Sequence, residues 1–328
     1  MLGYIRSPYG AYGLDTTETL DIHGTRQRVR LCAVRGGLPP VLIVQAGPGF
    51  PLLHEAAKFQ QRLGLEQGFT VAYWDQRGCG SAPVQEARSV SLSTQVDDLC
   101  AVIRWLAERT WQQVLVLGIS LGATIALQAA AREARQVKAL VAVSIDTDTS
   151  ASDIAASAFL EKTRTRAGRR TARLIEKLGA PPYTAPAPLQ LRARLLTDLG
   201  GIEHGKRFGE LLRGLLVGLI GTYGWLGAVA ALRNMNAIQR SMLPELASLN
   251  LFQNWPRPAV PVHYLFGSDD PLAPESLVRR LSGVIAPGDT LATLPNAGHM
   301  VHFDQPAIVR SVIAQAAGGR LIRDRRDR

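Results

Sequence analysis

The sequence predicts an α/β protein: a mostly parallel sheet with helices on both faces and a helical cap inserted into it. Three observations carry that reading. Short unbroken apolar runs alternate with helical periodicity through residue 147, the alternation stops between 148 and 257, and it resumes from 258 to the end. An unbroken apolar run marks a strand buried on both faces. Such strands alternating with helices build a parallel sheet through crossover connections. The expected organisation is therefore a core domain made of residues 1–147 and 258–328, with a helical cap over 148–257. A length of 328 residues fits one large domain carrying an insertion.

The elements follow in order. Residues 16–34 alternate apolar and polar about Gly24, which predicts a β-hairpin. Val41 to Gln45 is a buried strand that ends in Ala46-Gly47-Pro48-Gly49, and a helix is expected from Leu52 to Leu65. Phe69 to Trp74 is a second buried strand, closed by Asp75-Gln76-Arg77-Gly78-Cys79-Gly80. Apolar spacing at Val96, Leu99, Val102, Ile103 and Leu106 predicts a helix from Ser93 to Glu108. Strands at Val114–Leu117 and Lys138–Ser144 flank an alanine-rich helix at Leu121–Ala131. After the cap come a strand at Val260–Phe266, a helix at Glu275–Leu281, a strand at Thr290–Leu294 and a closing helix at Ala307–Ala317.

Composition narrows the function classes. Three widely spaced cysteines, Cys32, Cys79 and Cys100, form no CxxC pair, so neither a disulfide framework nor a metal site is indicated. Reduced thiols point to a cytoplasmic location. The start, Met-Leu-Gly-Tyr-Ile-Arg-Ser-Pro, lacks the charged and apolar regions of a signal peptide. Net charge is +10, and the excess gathers between Lys162 and Lys177 and in the tail from Arg320 to Arg328. No aromatics interleave with either run, so a solvated helix face and a frayed tail are expected rather than nucleic-acid binding. Gly214 to Leu232 carries no charge and nearly reaches the length of a bilayer span. Its glycines and its place mid-chain predict a buried or pocket-lining helix, with no stable membrane insertion.

Chemistry concentrates at loops that follow strands. Gly118-Ile119-Ser120-Leu121-Gly122 stands between a buried strand and a helix, the setting in which a G-x-S-x-G turn exposes a nucleophilic serine. The helix behind it aims its first N–H groups at developing negative charge. A serine hydroxyl needs a base, and His299 in Asn296-Ala297-Gly298-His299, just past the last strand, is preferred over the nearby His302. His263 lies within a strand, and His23, His54 and His204 lack such positions. The base needs an orienting acid. Asp269 and Asp270 compete in Gly267-Ser268-Asp269-Asp270-Pro271, and Asp146 and Asp148 are a further possibility. Backbone N–H groups of Leu121 and Gly47 are the expected oxyanion donors. No metal or organic cofactor is called for, and the expected partner is a small-molecule or short-peptide substrate.

At these residues the chain resembles the α/β-hydrolase superfamily and, within it, the proline iminopeptidase (prolyl aminopeptidase) group. The resemblance rests on AGPG at 46–49, DQRGCG at 75–80, GISLG at 118–122, GSDDPLAP at 267–274 and AGHMVHFDQP at 297–306. It implies the α/β-hydrolase fold with a cap (lid) domain and an acyl-enzyme mechanism in which Ser120, Asp270 and His299 form a catalytic triad. Gly267, Asp270 and Pro274 fit the family's G-x-x-D-x-x-x-P frame, which prefers Asp270 over Asp269. Asp75-Gln76-Arg77 is expected to act structurally, its arginine pairing with a nearby carboxylate. The group usually carries His-Gly-Gly-Pro-Gly where this chain has Gln45-Ala46-Gly47-Pro48-Gly49. It also grips the substrate's amino terminus with cap carboxylates, for which this basic cap offers few candidates. Gln45, Glu203 and Trp225 are the expected substrate contacts. An esterase or lactonase acting on an uncharged or acidic substrate, and a non-catalytic ligand-binding protein of the same fold, are the alternatives.

Overall fold

A computed structural model describes residues 13–165 and 168–318. The N-terminal leader reading and the basic tail from Arg320 fall outside the described residues.

The scaffold is one eight-stranded sheet in the order β1-β2-β4-β3-β5-β6-β7-β8. β1 (Leu14–Ile22) and β2 (Thr25–Ala33) form the expected hairpin and join the sheet antiparallel. The remaining strands run parallel: β3 (Pro40–Val44), β4 (Thr70–Asp75), β5 (Val114–Ile119), β6 (Val137–Val143), β7 (Val262–Gly267) and β8 (Thr290–Leu294). The central strands β3, β4 and β5 are buried at every position. That explains why their sequences read as continuous apolar runs rather than as alternation.

Helices cover both faces. In chain order they are α1 (Ala56–Arg62), α2 (Val84–Arg88), α3 (Leu92–Thr110), α4 (Leu121–Arg132), α5 (Thr149–Arg164), α6 (Arg169–Leu178), α7 (Pro186–Asp198), α8 (Phe208–Ala247), α9 (Glu275–Ser282), α10 (Val301–Asp304) and α11 (Pro306–Ala316). α3 starts at a capping box, with the Ser91 side chain accepting from the Thr94 N–H and the Thr94 side chain accepting from the Ser91 N–H. α7 and α11 each begin with proline in the first turn, where its missing N–H costs nothing. α5 through α8 form the helical insertion between β6 and β7.

Two expectations need correction. The single helix over 52–65 is broken. Asp75 Oδ1 accepts the N–H groups of Leu52 (2.8 Å) and Leu53 (2.9 Å), holding a 3-10 turn at Leu53–Glu55 ahead of α1, and Gly64 turns left-handed after it. The apolar stretch Gly214–Leu232 is helical, but only Leu219, Ala228 and Ala231 in it are buried. It lies within α8, whose most apolar window is only 17% buried and whose helical path breaks at Gly224 (φ 71°, ψ 175°).

Register places the site. Val44 pairs with Gly118, Ile119 with Val143 and Val143 with Leu265. The loops after β3, β5, β6 and β7 therefore leave the sheet side by side at its C-terminal edge, where open α/β sheets present their reactive groups. The turn after β4 is structural, as its sequence suggests. Arg77 donates twice to Asp98, from Nε and Nη2 at 2.7 Å each, and Gln27 adds a third bond to the same carboxylate.

Candidate active site

Ser120 sits where β5 turns into α4 with φ 53° and ψ −124°, a strained conformation for a side chain with a Cβ. The two flanking glycines permit the turn by close approach. A Cβ on Gly122 would lie 2.3 Å from the Val44 carbonyl oxygen, and one on Gly118 would lie 2.6 Å from Ala123 Cα. The pentapeptide is thus wedged between α4 and the end of β3, with Ser120 7% exposed beneath the cap.

Two backbone donors lie in the neighbouring loops after β3 and β5. Among the described residues, neither the Leu121 N–H nor the Gly47 N–H has a hydrogen-bond acceptor. Gln45 explains why Gly47 rather than Ala46 is left free. Its Oε1 accepts the Ala46 N–H at 3.0 Å, while its Nε2 donates to Glu55 at 2.6 Å. Each end of Gln45 thus makes one bond that shapes the loop.

The acid and base are joined. His299 Nδ1 lies 2.8 Å from Asp270 Oδ2, and both side chains are buried. Asp270 Oδ1 also accepts the Leu272 N–H at 2.9 Å, which fixes the carboxylate in its turn. Asp269 points away and meets His204 at 3.2 Å, and Asp148 caps α5. His302 is stacked on Phe59 in the core, where burial and the neighbouring Lys58 drive its pKa well down. Among the described residues His299 Nε2 carries no hydrogen bond, so it is left to serve chemistry.

The histidine loop is clamped by the cap, an arrangement no sequence motif revealed. His299 N–H donates to the Gly201 carbonyl at 3.0 Å, and Met300 N–H to the Ile202 carbonyl at 2.8 Å. Asp304 ties the two chain segments together by accepting from Gly298 N–H (2.9 Å) and His204 N–H (3.0 Å). A Cβ on Gly298 would come 2.9 Å from both cap carbonyls, so the Gly-His pair owes its glycine to this contact. The available signal was the Gly200-Gly201 pair, isolated in a segment otherwise read as helical.

Asp146 is the unexpected member. It follows β6 and is held by Thr124, whose hydroxyl donates to its carbonyl at 2.6 Å. Its Oδ2 receives the Ser120 hydroxyl at 3.2 Å. The serine is thus turned toward Asp146, not toward His299, in this state. Burial pushes the Asp146 carboxyl upward, against the charge of His299, the Ser120 hydrogen bond and the charge of Arg192. Burial alone would lower His299, but the Asp270 carboxylate, its hydrogen bond and Asp146 together hold it above the usual imidazole value. From α7, Arg192 pairs with Asp153, and burial lowers its pKa to about 10 against the pull of Asp146.

The other two expected substrate contacts lie elsewhere. Glu203 is buried against Lys58 at 2.7 Å, with Arg62 at 4.0 Å, and stitches the cap to α1. Trp225 is 68% exposed on the outer face of α8. Neither is in hydrogen-bond contact with Ser120, Asp146, Asp270 or His299. A depression of about 630 Å³ meets Asp270 from outside, lined by Phe159, His204, Asp269 and Pro271, without reaching Ser120.

A strained serine on a strand-to-helix turn, with an aspartate–histidine pair delivered after later strands, matches a family model described as alpha/beta hydrolase fold over residues 39–306. The chain belongs to the α/β-hydrolase fold family. It is 24% identical over 308 residues to "Probable aminopeptidase YbaC" of Bacillus subtilis (strain 168), covering 92% of this chain and 95% of that one. Among solved structures, the proline iminopeptidase of Mycobacterium smegmatis superimposes with a TM-score of 0.64 at 19% identity, over 92% of this chain and 97% of its own. A proline iminopeptidase-related protein of Thermus thermophilus gives 0.61 at 20%, over 93% and 97%. At such identities these structures share the fold, which also houses an esterase of comparable likeness.

Proposed function

We propose that this α/β hydrolase is a serine hydrolase that forms an acyl-enzyme on Ser120 and prefers aminoacyl amides or esters with a free α-amino group. The observation that carries the substrate class is the Asp146 carboxylate, 3.2 Å from the nucleophilic oxygen. In an aminoacyl substrate the α-nitrogen lies about 2.5 Å from the scissile carbonyl carbon, as bond lengths and angles dictate. An ammonium there is brought within reach of a carboxylate that touches the attacking hydroxyl. Three carboxylates, Asp146, Asp153 and Asp270, stand against one guanidinium, Arg192, in this cluster. The acid that meets the ammonium thus comes from the loop after β6 rather than from the cap.

In the proposed sequence, substrate binding draws Asp146 to the ammonium and releases the Ser120 hydroxyl toward His299. Ser120 Oγ attacks the carbonyl carbon as His299 Nε2 takes its proton. The oxyanion is held by the N–H groups of Leu121 and Gly47. Collapse of the tetrahedral species breaks the bond to the leaving amine or alcohol, which receives that proton from His299. Water, deprotonated by His299, then attacks the acyl-enzyme and frees the amino acid and Ser120. Asp270 keeps the imidazole in the tautomer this requires.

The experiment compares an aminoacyl arylamide with its N-acetylated counterpart, using Ser120→Ala and Asp146→Asn. Preference for the free amine, lost in Asp146→Asn and with all turnover lost in Ser120→Ala, is expected. Equal or better turnover of the N-acetylated substrate by the wild type would overturn the substrate class. A second reading, an esterase or lactonase on acidic substrates, draws on Arg192. It predicts that a substrate carboxylate raises kcat/KM and that Arg192→Met removes the gain.

A further inference from the structure

We propose that the outer face of α8 docks on an anionic phospholipid surface. The face is apolar and unpartnered. Leu212, Leu216 and Ile220 recur every fourth residue on the first leg beside Val217, which is 65% exposed. Past the break at Gly224, Trp225, Leu226 (84% exposed) and Val229 (55% exposed) continue the surface. Scattered apolar residues are ordinary on a protein surface, but seven large ones exposed along one kinked helix exceed scatter.

Charge identifies the occupant. The uncharged run from Gly214 to Leu232 is bracketed by Arg213 and Arg233, both exposed, with Arg207 and Arg240 exposed further out. Among the described residues, none of Arg207, Arg213 and Arg233 meets a carboxylate, and Glu210 is the only acid between positions 207 and 240. The segment 148–257 holds fifteen Lys and Arg against eight Asp and Glu, and so seven of the chain's ten net positive charges. An apolar face flanked by unpaired arginines, with a tryptophan at its crest, is the pattern of an element that lies in a membrane interface. A second copy of the chain is disfavoured, because a two-fold contact through this face would bring the same unpaired arginines together.

The opposite side of α8 is committed to the protein, which excludes a span. Tyr223 donates to Asp75 at 2.5 Å. Asn234 donates to the carbonyls of Gly80 (3.2 Å) and Ala82 (2.7 Å). Leu219, Ala228 and Ala231 are buried beneath. Only the outer face is available, so the helix lies flat. The inner side of α8 backs the loop after β3, where a Cβ on Gly49 would come 3.0 Å from Met235 Cα.

The test uses the full chain with sedimenting vesicles of phosphatidylcholine alone or with about one third phosphatidylglycerol. Binding to the anionic vesicles, weakened by salt, is expected. Val217→Glu with Leu226→Glu should reduce partitioning at least tenfold, and Arg213→Gln or Arg233→Gln about fivefold each on anionic vesicles. All four positions are exposed and outside the catalytic cluster, so turnover of a soluble substrate should stay unchanged and report intact folding. No binding to anionic vesicles, or equal loss of binding and soluble turnover in the double variant, would overturn the proposal. A dimer by light scattering that Val217→Glu with Leu226→Glu dissociates, without vesicle binding, would assign the face to a second copy instead.

Discussion

The sheet and the cap use similar apolar residues to opposite ends. In the sheet, continuous runs such as Pro40–Val44 and Val114–Ile119 are buried at every position. In the cap, α8 is apolar enough to cross a bilayer by length and composition, yet shows most of its surface to solvent. Hydropathy alone therefore does not decide burial. Strand pairing and the loops at strand ends do, because the central strands β3, β4 and β5 are buried on both faces and α8 is covered on only one. The glycines divide in the same way. Gly118, Gly122, Gly267 and Gly298 of the site loops admit another backbone, whereas Gly214, Gly221 and Gly224 have nothing within 4 Å of where a Cβ would stand.

Four variants sharpen or break this contrast, from the largest effect to the smallest. Asp270→Asn should lower turnover on the order of ten-thousandfold while the fold persists, because His299 loses the partner that fixes its tautomer. The pH profile adds a sign. In the proposed mechanism only neutral His299 accepts the serine proton, and the site holds its pKa above the usual value of about 6.5. Wild-type kcat/KM should thus fall as pH drops through a midpoint above about 6.5, and in Asp270→Asn that midpoint should move to lower pH. A wild-type midpoint at or below that value would contradict the buried Asp270–His299 arrangement.

Gly122→Ala comes next. Its Cβ would meet the carbonyl oxygens of Val44 and Gln45 at 2.3 and 2.4 Å, so a loss of about 3 kcal/mol or more is expected by chemical denaturation. Tyr223→Phe removes the hydroxyl that the buried Asp75 carboxylate accepts and should cost about 1–2 kcal/mol. It should also raise hydrogen exchange near the α8 break, where the cap is latched. Gly221→Ala on the exposed leg of α8 should instead stabilise by about 0.5–1 kcal/mol, since nothing crowds it and alanine favours helix. If Gly122→Ala and Gly221→Ala shifted the denaturation midpoint alike, the distinction between the two regions would fail.

What was legible in the sequence follows the same line. The strands, the hairpin about Gly24, the serine turn and the aspartate–histidine pairing could be found because each needs a local pattern: an apolar run, a glycine where backbones touch, a carboxylate or imidazole just past a strand end. Asp270 over Asp269 came from the family frame, and the structure gives it a direct reason, since Asp269 faces His204. The break in the 52–65 helix was invisible because Asp75 imposes it from another strand. Asp146 was weighed as a partner for the base, but only the register of β5 and β6 shows that it meets the nucleophile instead. For Gln45, Glu203 and Trp225, residue type does not say which neighbour each meets. Gln45 and Glu203 make internal bonds, and Trp225 faces outward.

The central claim is that Ser120 is made nucleophilic by His299 beside free backbone donors. Intact-protein mass spectrometry after reaction with a fluorophosphonate tests it most directly. One adduct per chain is predicted, mapping to Ser120, absent from Ser120→Ala and formed far more slowly in His299→Ala. An unlabelled wild type, or equal labelling of wild type and Ser120→Ala, would contradict the account.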